Sequence, residues 1–327
     1  MDRRQALAQM GAGIAATTAP HWLHAQTPTT GKPIKLLVGV APGGAADVMG
    51  RMFAQKVGEA LGQSVIVDNK PGASGTLAAD AAAKTPPDGL TLLASAPTVM
   101  IVAPHLYKNL GFNPQKDFEP VVLLGGGPLA LVVHADTPAR TPQELVALAK
   151  AKPEQIAFGS GGLGTASHLS SAMFASQAGL RLIHSPYKGE GQAINDLLGG
   201  QVQMMITAYN LVEPHVKSGR LRLLGVTSKT RMAALPQTPT LDESGLGGYE
   251  SLGWIGIYAP AKTPLALRQR IAAEWRKARA TPEIATKFDS TGMGYIPSGT
   301  PEEFAAFQQA ETVRWAKVIK DANIQPE

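Results

Sequence analysis

The chain has 327 residues, room for about two domains. With 44% hydrophobic and 17% charged residues it can build a core, which excludes wholesale disorder. A formal charge of +5 and 6% aromatic residues argue against a nucleic-acid partner, and the absence of cysteine excludes disulfides, thiol catalysis and cysteine-ligated metals.

Residues 1–25 read as an export signal rather than as part of a fold. Arg3 and Arg4 form a short positive start, Ala6 to Ala19 are mostly small and apolar, and Ala25 offers a cleavage site. The paired arginines also fit a twin-arginine signal loosely. The competing reading is an amphipathic first helix, because Leu7, Met10 and Ile14 share a face. Pro20 and the polar stretch Gln26–Thr30 favour removal. Beyond this segment no run of about 18 apolar residues is available to span a membrane.

From Ile34 onward short β runs alternate with helical patterns, the mark of an α/β protein with parallel sheets. Ile34–Val40 is a predicted strand, Ala41–Ala46 a turn, and Val48, Met52, Phe53, Val57 and Leu61 one helical face closed by Gly62. Val65–Val67 and Leu90–Ala94 are further strands, with an alanine-rich helix ending at Ala83 between them. A second unit opens at Thr141-Pro-Gln-Glu144, a capping box with proline at the first helical position. Its predicted strands are Ile156–Phe158, Leu182–His184, Val202–Ile206 and Leu221–Val226. The long apolar runs 121–133 and 252–260 read as two crossover strands between the units. The tail from Pro264 is predicted helical in three pieces, the last from Pro301 to about Ala322.

Gly159-Ser-Gly161-Gly-Leu-Gly164 satisfies G-x-G-x-x-G between a strand and a helix. A dinucleotide site would want a carboxylate about 20 residues on, and Leu182–Tyr187 supplies none. What remains is a glycine-rich turn exposing backbone N–H groups and a positive helix end, a setting for an anion. Thr165, Ser167 and His168 add neutral donors. Ala41-Pro-Gly-Gly44 is a second such turn, for which a merely tight connection is an equal reading. Asp47 most simply complements its own helix, with contact to a ligand ammonium as the lesser alternative. No G-x-S-x-G elbow and no H-E-x-x-H spacing occur, so each histidine reads as a neutral donor or packed residue. Tyr187-Lys-Gly-Glu190 reads as a surface turn before a helix at Gln192–Leu198.

Ordered blocks along the whole mature chain resemble a known family. Ala41–Asp47, Asn69-Lys-Pro-Gly-Ala-Ser-Gly75, Pro87–Leu93, Asp117–Val121, Ser160–His168, Pro186–Gly189, Leu197–Val202, Leu223–Ser228, Leu235–Thr240 and Ala259–Pro264 are similar to successive blocks of the Bug family. These are the periplasmic receptors of tripartite tricarboxylate transporters. The resemblance implies an α/β, type II periplasmic binding protein fold. Two doubly wound domains, 26–128 plus 253–327 and 129–252, would be joined by two crossover strands and close on a small carboxylate. The family's two carboxylate-gripping loops map onto Pro42, Gly43, Gly44 and Ala45, with Asp47 beside them, and onto Gly161, Gly162, Gly164, Thr165, Ser167 and His168. Ser95, Tyr187 and Asn210 are further expected contacts. Here Gln201-Val-Gln-Met-Met205 and Ile206–Asn210 depart from the family pattern, so the distal part of the ligand is not carried over. The implied protein is a periplasmic, monomeric receptor without cofactor, metal or catalysis, transiently meeting permease subunits or a sensor. An exported α/β hydrolase of small esters or amides is the alternative, and no nucleophile–base–orienter set supports it.

Cleavage after Ala25 has a direct check. Intact-mass measurement on exported protein is expected to show a chain beginning at Gln26, and a species retaining Arg3 and Arg4 would contradict it.

Overall fold

The computed structural model describes residues 31–296, 299–322 and 324, with no side-chain detail at 289–291. The export signal predicted over 1–25 lies outside the described residues.

The first strand, β1 (Ile34–Val38), buries four of its five residues, as a strand covered on both faces should. A turn leads into α1 (Ala45–Leu61), which Gly62 ends in the left-handed region at φ 63°. Then come β2 (Val65–Asn69), α2 (Thr76–Ala83) and β3 (Thr91–Ser95). Strands β2 and β3 flank β1, all parallel. After β3 the chain forms a π-helical turn over Thr98–Val102 that runs into α3 (Ala103–Leu106).

The next strand, β4 (Phe118–His134), is 17 residues long and belongs to both halves of the sheet. Its first part, Phe118–Pro128, pairs antiparallel with β9 (Leu252–Pro260), which in turn opposes β3. From Leu129 it pairs antiparallel with β7 (Met204–Ala208), and over Ala130–His134 also with β8 (Leu221–Val226). Strand β7 runs parallel to β5 (Ala157–Ser160), and β5 parallel to β6 (Ile183–Pro186). These directions have a consequence. Because β9 opposes both neighbours, β4 runs with β1 and β3 and leaves past their C-terminal ends. It then enters the second half opposed to β7 and β5, whose C-terminal ends therefore point back at the first. The two edges at which α/β sheets bind ligands face each other.

Helices cover both faces of each half. In the first, α1, α8 (Leu265–Arg279) and α9 (Pro282–Thr291) bring Phe53, Trp275 and Phe288 together, with Phe53 stacked on Trp275 at 5.4 Å between ring centroids. On the opposite face α2, the 98–106 segment and α10 (Pro301–Asp321) pack Val102, Phe304 and Trp315 against Leu37 and Leu93. In the second half, α4 (Pro142–Ala151) and α5 (Ala166–Ala178) share a core with Met204 and Ile206. Helices α6 (Glu190–Leu198) and α7 (Tyr209–Lys217) take the other face, where Met205 points. The fold is the doubly wound α/β pair implied by the sequence.

Local signals differ in detail. Thr141 Oγ1 accepts from the Glu144 amide, but Glu144 reaches back to the Arg140 amide instead of to Thr141, so only half of the capping box forms there. The full box is at Thr300 and Glu303, opening α10.

Where β4 passes between halves, Gly125, Gly126 and Gly127 carry no side chains because there is no room. A Cβ at Gly127 would lie 2.1 Å from the Gly292 carbonyl oxygen, and one at Gly125 would lie 2.2 Å from Phe288. Beside this crossing the buried Glu311 carboxylate accepts from the indoles of Trp254 and Trp315, each at 3.1 Å, and pairs with Arg314 at 2.8 Å. Glu311→Ala strands both indole N–H groups and leaves Arg314 with its longer contact to Glu250 at 3.4 Å. It is expected to cost about 3 kcal/mol, while Val313→Ala on the exposed face of the same helix should be silent. Urea unfolding of both variants checks this, and a Glu311→Ala midpoint equal to wild type would contradict it.

Candidate ligand site

Each facing edge carries one glycine-rich loop between a strand and a helix. In the first, Gly43 sits at φ 88°, and Gly44 is the N-cap of α1. Among the described residues the amides of Ala45, Ala46 and Asp47 have no protein acceptor, as expected for a first helical turn without a side-chain cap. The loop keeps its shape through Asp47, whose carboxylate lies buried beneath it. Asp47 Oδ2 accepts from the Gly43 amide at 2.9 Å; Oδ1 accepts from Arg51 Nε and Asn69 Nδ2, both at 2.9 Å. Asn69 also donates to the Val40 carbonyl at 3.0 Å, tying the end of β2 to the loop. Burial pushes the Asp47 pKa up, but the Gly43 amide, Asn69 and Arg51 outweigh it, and the carboxyl sits below its usual value.

The second loop, Gly161–Thr165, follows β5. Gly162 at φ 127° and Gly164 at φ 75° take conformations that favour glycine. Thr165 is the N-cap of α5; its hydroxyl accepts from the His168 amide and donates to the Gly162 carbonyl at 2.7 Å. The Gly161 amide donates to Ser167 Oγ at 3.1 Å, and the Gly164 amide to His168 Nδ1 at 3.1 Å. The amides of Ala166 and Ser167 have no protein acceptor among the described residues. A Cβ at Gly164 would lie 2.8 Å from Leu106, so this loop touches the α3 segment of the first half.

A second carboxylate braces this loop. Glu190 opens α6, and its side chain turns inward: Ser167 Oγ donates to Oε1 at 2.6 Å and Thr207 Oγ1 to Oε2 at 2.9 Å. Burial raises the Glu190 pKa, which the two hydroxyls and the Gly161 amide only partly offset. The surface-turn reading of Tyr187–Glu190 is thereby corrected. The helix starts at Glu190 itself, and Tyr187 is tied down by donating to Asp196 at 2.7 Å.

Comparison with known proteins places this architecture. The family described as the tripartite tricarboxylate transporter family receptor matches residues 49–324. The UPF0065 protein in the tcbD-tcbE intergenic region of Pseudomonas sp. is 38% identical over 320 residues, covering 98% of this chain and 94% of that protein. Among solved structures, R. palustris Rpa4515 with adipate is 31% identical at a TM-score of 0.85, covering 92% of this chain and all of that one. The periplasmic binding protein BugD is 32% identical at a TM-score of 0.80, covering 90% and 99%. MatC from Rhodopseudomonas palustris with bound malate is 27% identical at 0.78, covering 88% and 99%. The chain belongs to the tripartite tricarboxylate transporter receptor family.

For this family member the remaining expected residues fall on the same two edges. Ser95 is buried at the C-terminal end of β3, and Asn210 is exposed in the first turn of α7, just beyond β7. Pro42, Gly43 and Ala45 are exposed on the first loop. Asp47 is different: its carboxylate oxygens are engaged by the loop, Arg51 and Asn69, which makes it a brace in place of the ammonium contact weighed from sequence. Arg51, Asn69, Glu190 and Thr207 are the residues that motif reading missed. Of these, Asn69 stood in a block that carries the family resemblance, Glu190 in a stretch read as a surface turn, and Thr207 in a stretch that departs from the family pattern. No helix among the described residues is long and apolar enough to cross a membrane, and no group of three or more metal-ligating side chains occurs among them.

His168 and His184 pack as a stack beneath the second loop, 4.1 Å between centroids, with Phe158 4.7 Å from His184. Burial pushes His168 down to about 3, helped by His184, and burial alone takes His184 down to about 4. Both imidazoles are neutral at pH 7. The unfolded chain, with ordinary histidines near 6.5, takes up protons that the fold refuses. Stability contributed by these groups is therefore complete above about pH 6.5 and is lost as pH falls toward 4 and below. Denaturation midpoints are expected to drop between pH 6.5 and 5, above the range where most carboxylates titrate, and the drop should be smaller in His168→Gln. An unchanged pH slope in that variant would contradict the assignment.

Proposed function

We propose that this chain is a periplasmic receptor that captures a small carboxylate, an organic acid or acidic amino acid, in the cleft between domains 26–128 plus 253–327 and 129–252. It delivers that ligand to the permease of a tripartite tricarboxylate-type transporter or to a sensor. One observation carries the reading: two facing sheet edges each present a glycine loop and a helix N-terminus with unpartnered amides, at Ala45–Asp47 and at Ala166–Ser167. Such amides and the helix dipole suit an anion, and neither loop contains Lys or Arg. In related proteins the ligands are adipate and malate, which supports a carboxylate without selecting one. The proposed contacts are Pro42–Ala45 and Gly161–Thr165 with the amides that follow each, bordered by Ser95, Tyr187 and Asn210.

The hydrolase alternative has one geometric candidate. Ser160 Oγ lies 2.7 Å from His184 Nε2. Ser160 is fully buried, however, and no carboxylate contributes to the His184 pKa. A nucleophile that substrate cannot reach, with a base that no carboxylate orients, makes a poor catalyst.

Native mass spectrometry of gently purified protein should show a co-purified small acid, and calorimetry with a panel of mono-, di- and tricarboxylates and acidic amino acids should find a ligand. Saturation at a hundredfold excess over Kd adds about 2.7 kcal/mol of apparent stability. If no acid in the panel binds or raises the melting temperature, the receptor reading fails. If an ester or amide is turned over, the alternative replaces it.

A further inference from the structure

We propose that Leu106 is a positioning residue of this site: with Thr98 and Val102 it forms a seat on the first half that keeps the Gly161–Thr165 loop facing the first loop before any ligand arrives. The inference rests on the carboxylate-receptor reading above and deepens it.

The seat is one stripe of side chains. Thr98, Val102 and Leu106 stand four residues apart along the π-helical turn and α3, so they share a face. Gly164 of the second loop rests on that face. A Cβ at Gly164 would lie 2.8 Å from Leu106 Cδ1, 3.4 Å from Val102 Cγ1 and 3.8 Å from Thr98 Cγ2. Gly164 is glycine for two reasons, this close approach and its φ of 75°. The contact extends beyond the backbone. Leu169 of α5 is buried in the first half's hydrophobic cluster together with Val102 and Leu106, and Leu163 packs against the same cluster.

The first loop is supported through the same segment. Val99 Cγ2 lies 3.0 Å from where a Cβ at Gly75 would stand, and a Cβ at Gly39 would lie 2.6 Å from the Gly75 Cα. Gly39 leads directly into Val40 and the first loop. Tyr107, which follows α3, donates to Ser74 Oγ at 3.3 Å. Within this support Ala73 and Ser74 hold φ values of 45° and 54°, a strained pair that persists where its surroundings determine it. One short segment, stiffened by Pro97 and Pro104, therefore touches the second loop directly and the first through Gly75.

Such packing acts on affinity through population. A ligand gripped by both loops binds the molecules in which they face each other, so its apparent Kd is the intrinsic value divided by the seated fraction. Removing the seat lowers that fraction and weakens every ligand by one common factor. If the seated fraction falls to one in ten, each Kd rises about tenfold.

The chain has no cysteine, so spin labels at Gln55→Cys on α1 and Ser218→Cys just after α7, both exposed positions, report the distance between the halves. In the unliganded labelled protein, Leu106→Ala is expected to lengthen and broaden the distance distribution. Leu106→Met keeps the volume of the side chain and should leave the distribution as in the parent. Leu106 is also a core residue, so Gly164→Ala tests the same contact from the second half: its added methyl meets Leu106 and should lengthen the distance too. Distributions like the parent's in both Leu106→Ala and Gly164→Ala overturn the seat. Calorimetry of Leu106→Ala with adipate and malate reads the consequence for binding. A common rise in both Kd values supports the positioning role, whereas unchanged values, or a change confined to one acid, overturn it. If wild type binds neither probe nor any acid of the wider panel, the receptor reading fails, and the label distances still decide whether Leu106 seats the loop.

Discussion

Amides that are to meet an anion have to be left unbonded by the protein, yet the loop that carries them must not collapse onto itself. In this chain each loop is held open from below by one carboxylate. Asp47 accepts from the Gly43 amide, and Asn69 links the same carboxylate to the Val40 carbonyl, so β1, β2 and the start of α1 are bound at one point. Glu190 gathers Ser167 from α5 and Thr207 from β7 in the same manner. The helix-end amides beyond the brace stay free.

Whether those amides can act together depends on β4. A strand of 17 residues that pairs with β9 up to Pro128 and with β7 from Leu129 sets the direction of every parallel strand around it. The C-terminal edges face each other because β4 continues through both halves without reversing. The price is paid in side chains at the crossing. Gly125, Gly126 and Gly127 admit the backbone and side chains of the 288–296 segment, and Gly256 on β9 leaves space for Phe304. Two buried tryptophans then anchor on Glu311, so that α10 grips β9 beside the crossing.

The elements were legible wherever a local pattern reported them. The apolar runs of β1, β3, β4 and β9 are strands covered on both faces, and Gly62 ends α1 as its position suggests. Asp47 was legible as a helix complement because its loop partner lies four residues away. Glu190 was not. Tyr187-Lys-Gly-Glu is a polar sequence with the composition of a turn, and the partners that bury its carboxylate lie 23 and 17 residues distant. No periodicity within one element reports such a pairing. The helical segment after β3 was hidden for another reason: Pro97 and Pro104 interrupt the pattern, and the π-turn between them shifts its period. Each histidine was read as a neutral donor or packed residue, and for His168 and His184 burial in the stack with Phe158 supplies the physical cause.

A site made of dipoles has a thermodynamic character that a site made of cations lacks. A buried lysine would hold a carboxylate firmly but would have to be desolvated, and it would stay uncompensated whenever the ligand left. Free amides at a helix end are satisfied by water in the vacant state and by ligand oxygens in the filled one, so the two states differ by less. Each helix end contributes about 0.3–1 kcal/mol toward an anion at an exposed site. In the proposed site, useful affinity therefore requires both ends together. The proposed function thereby couples binding to the approach of the two loops and release to their parting.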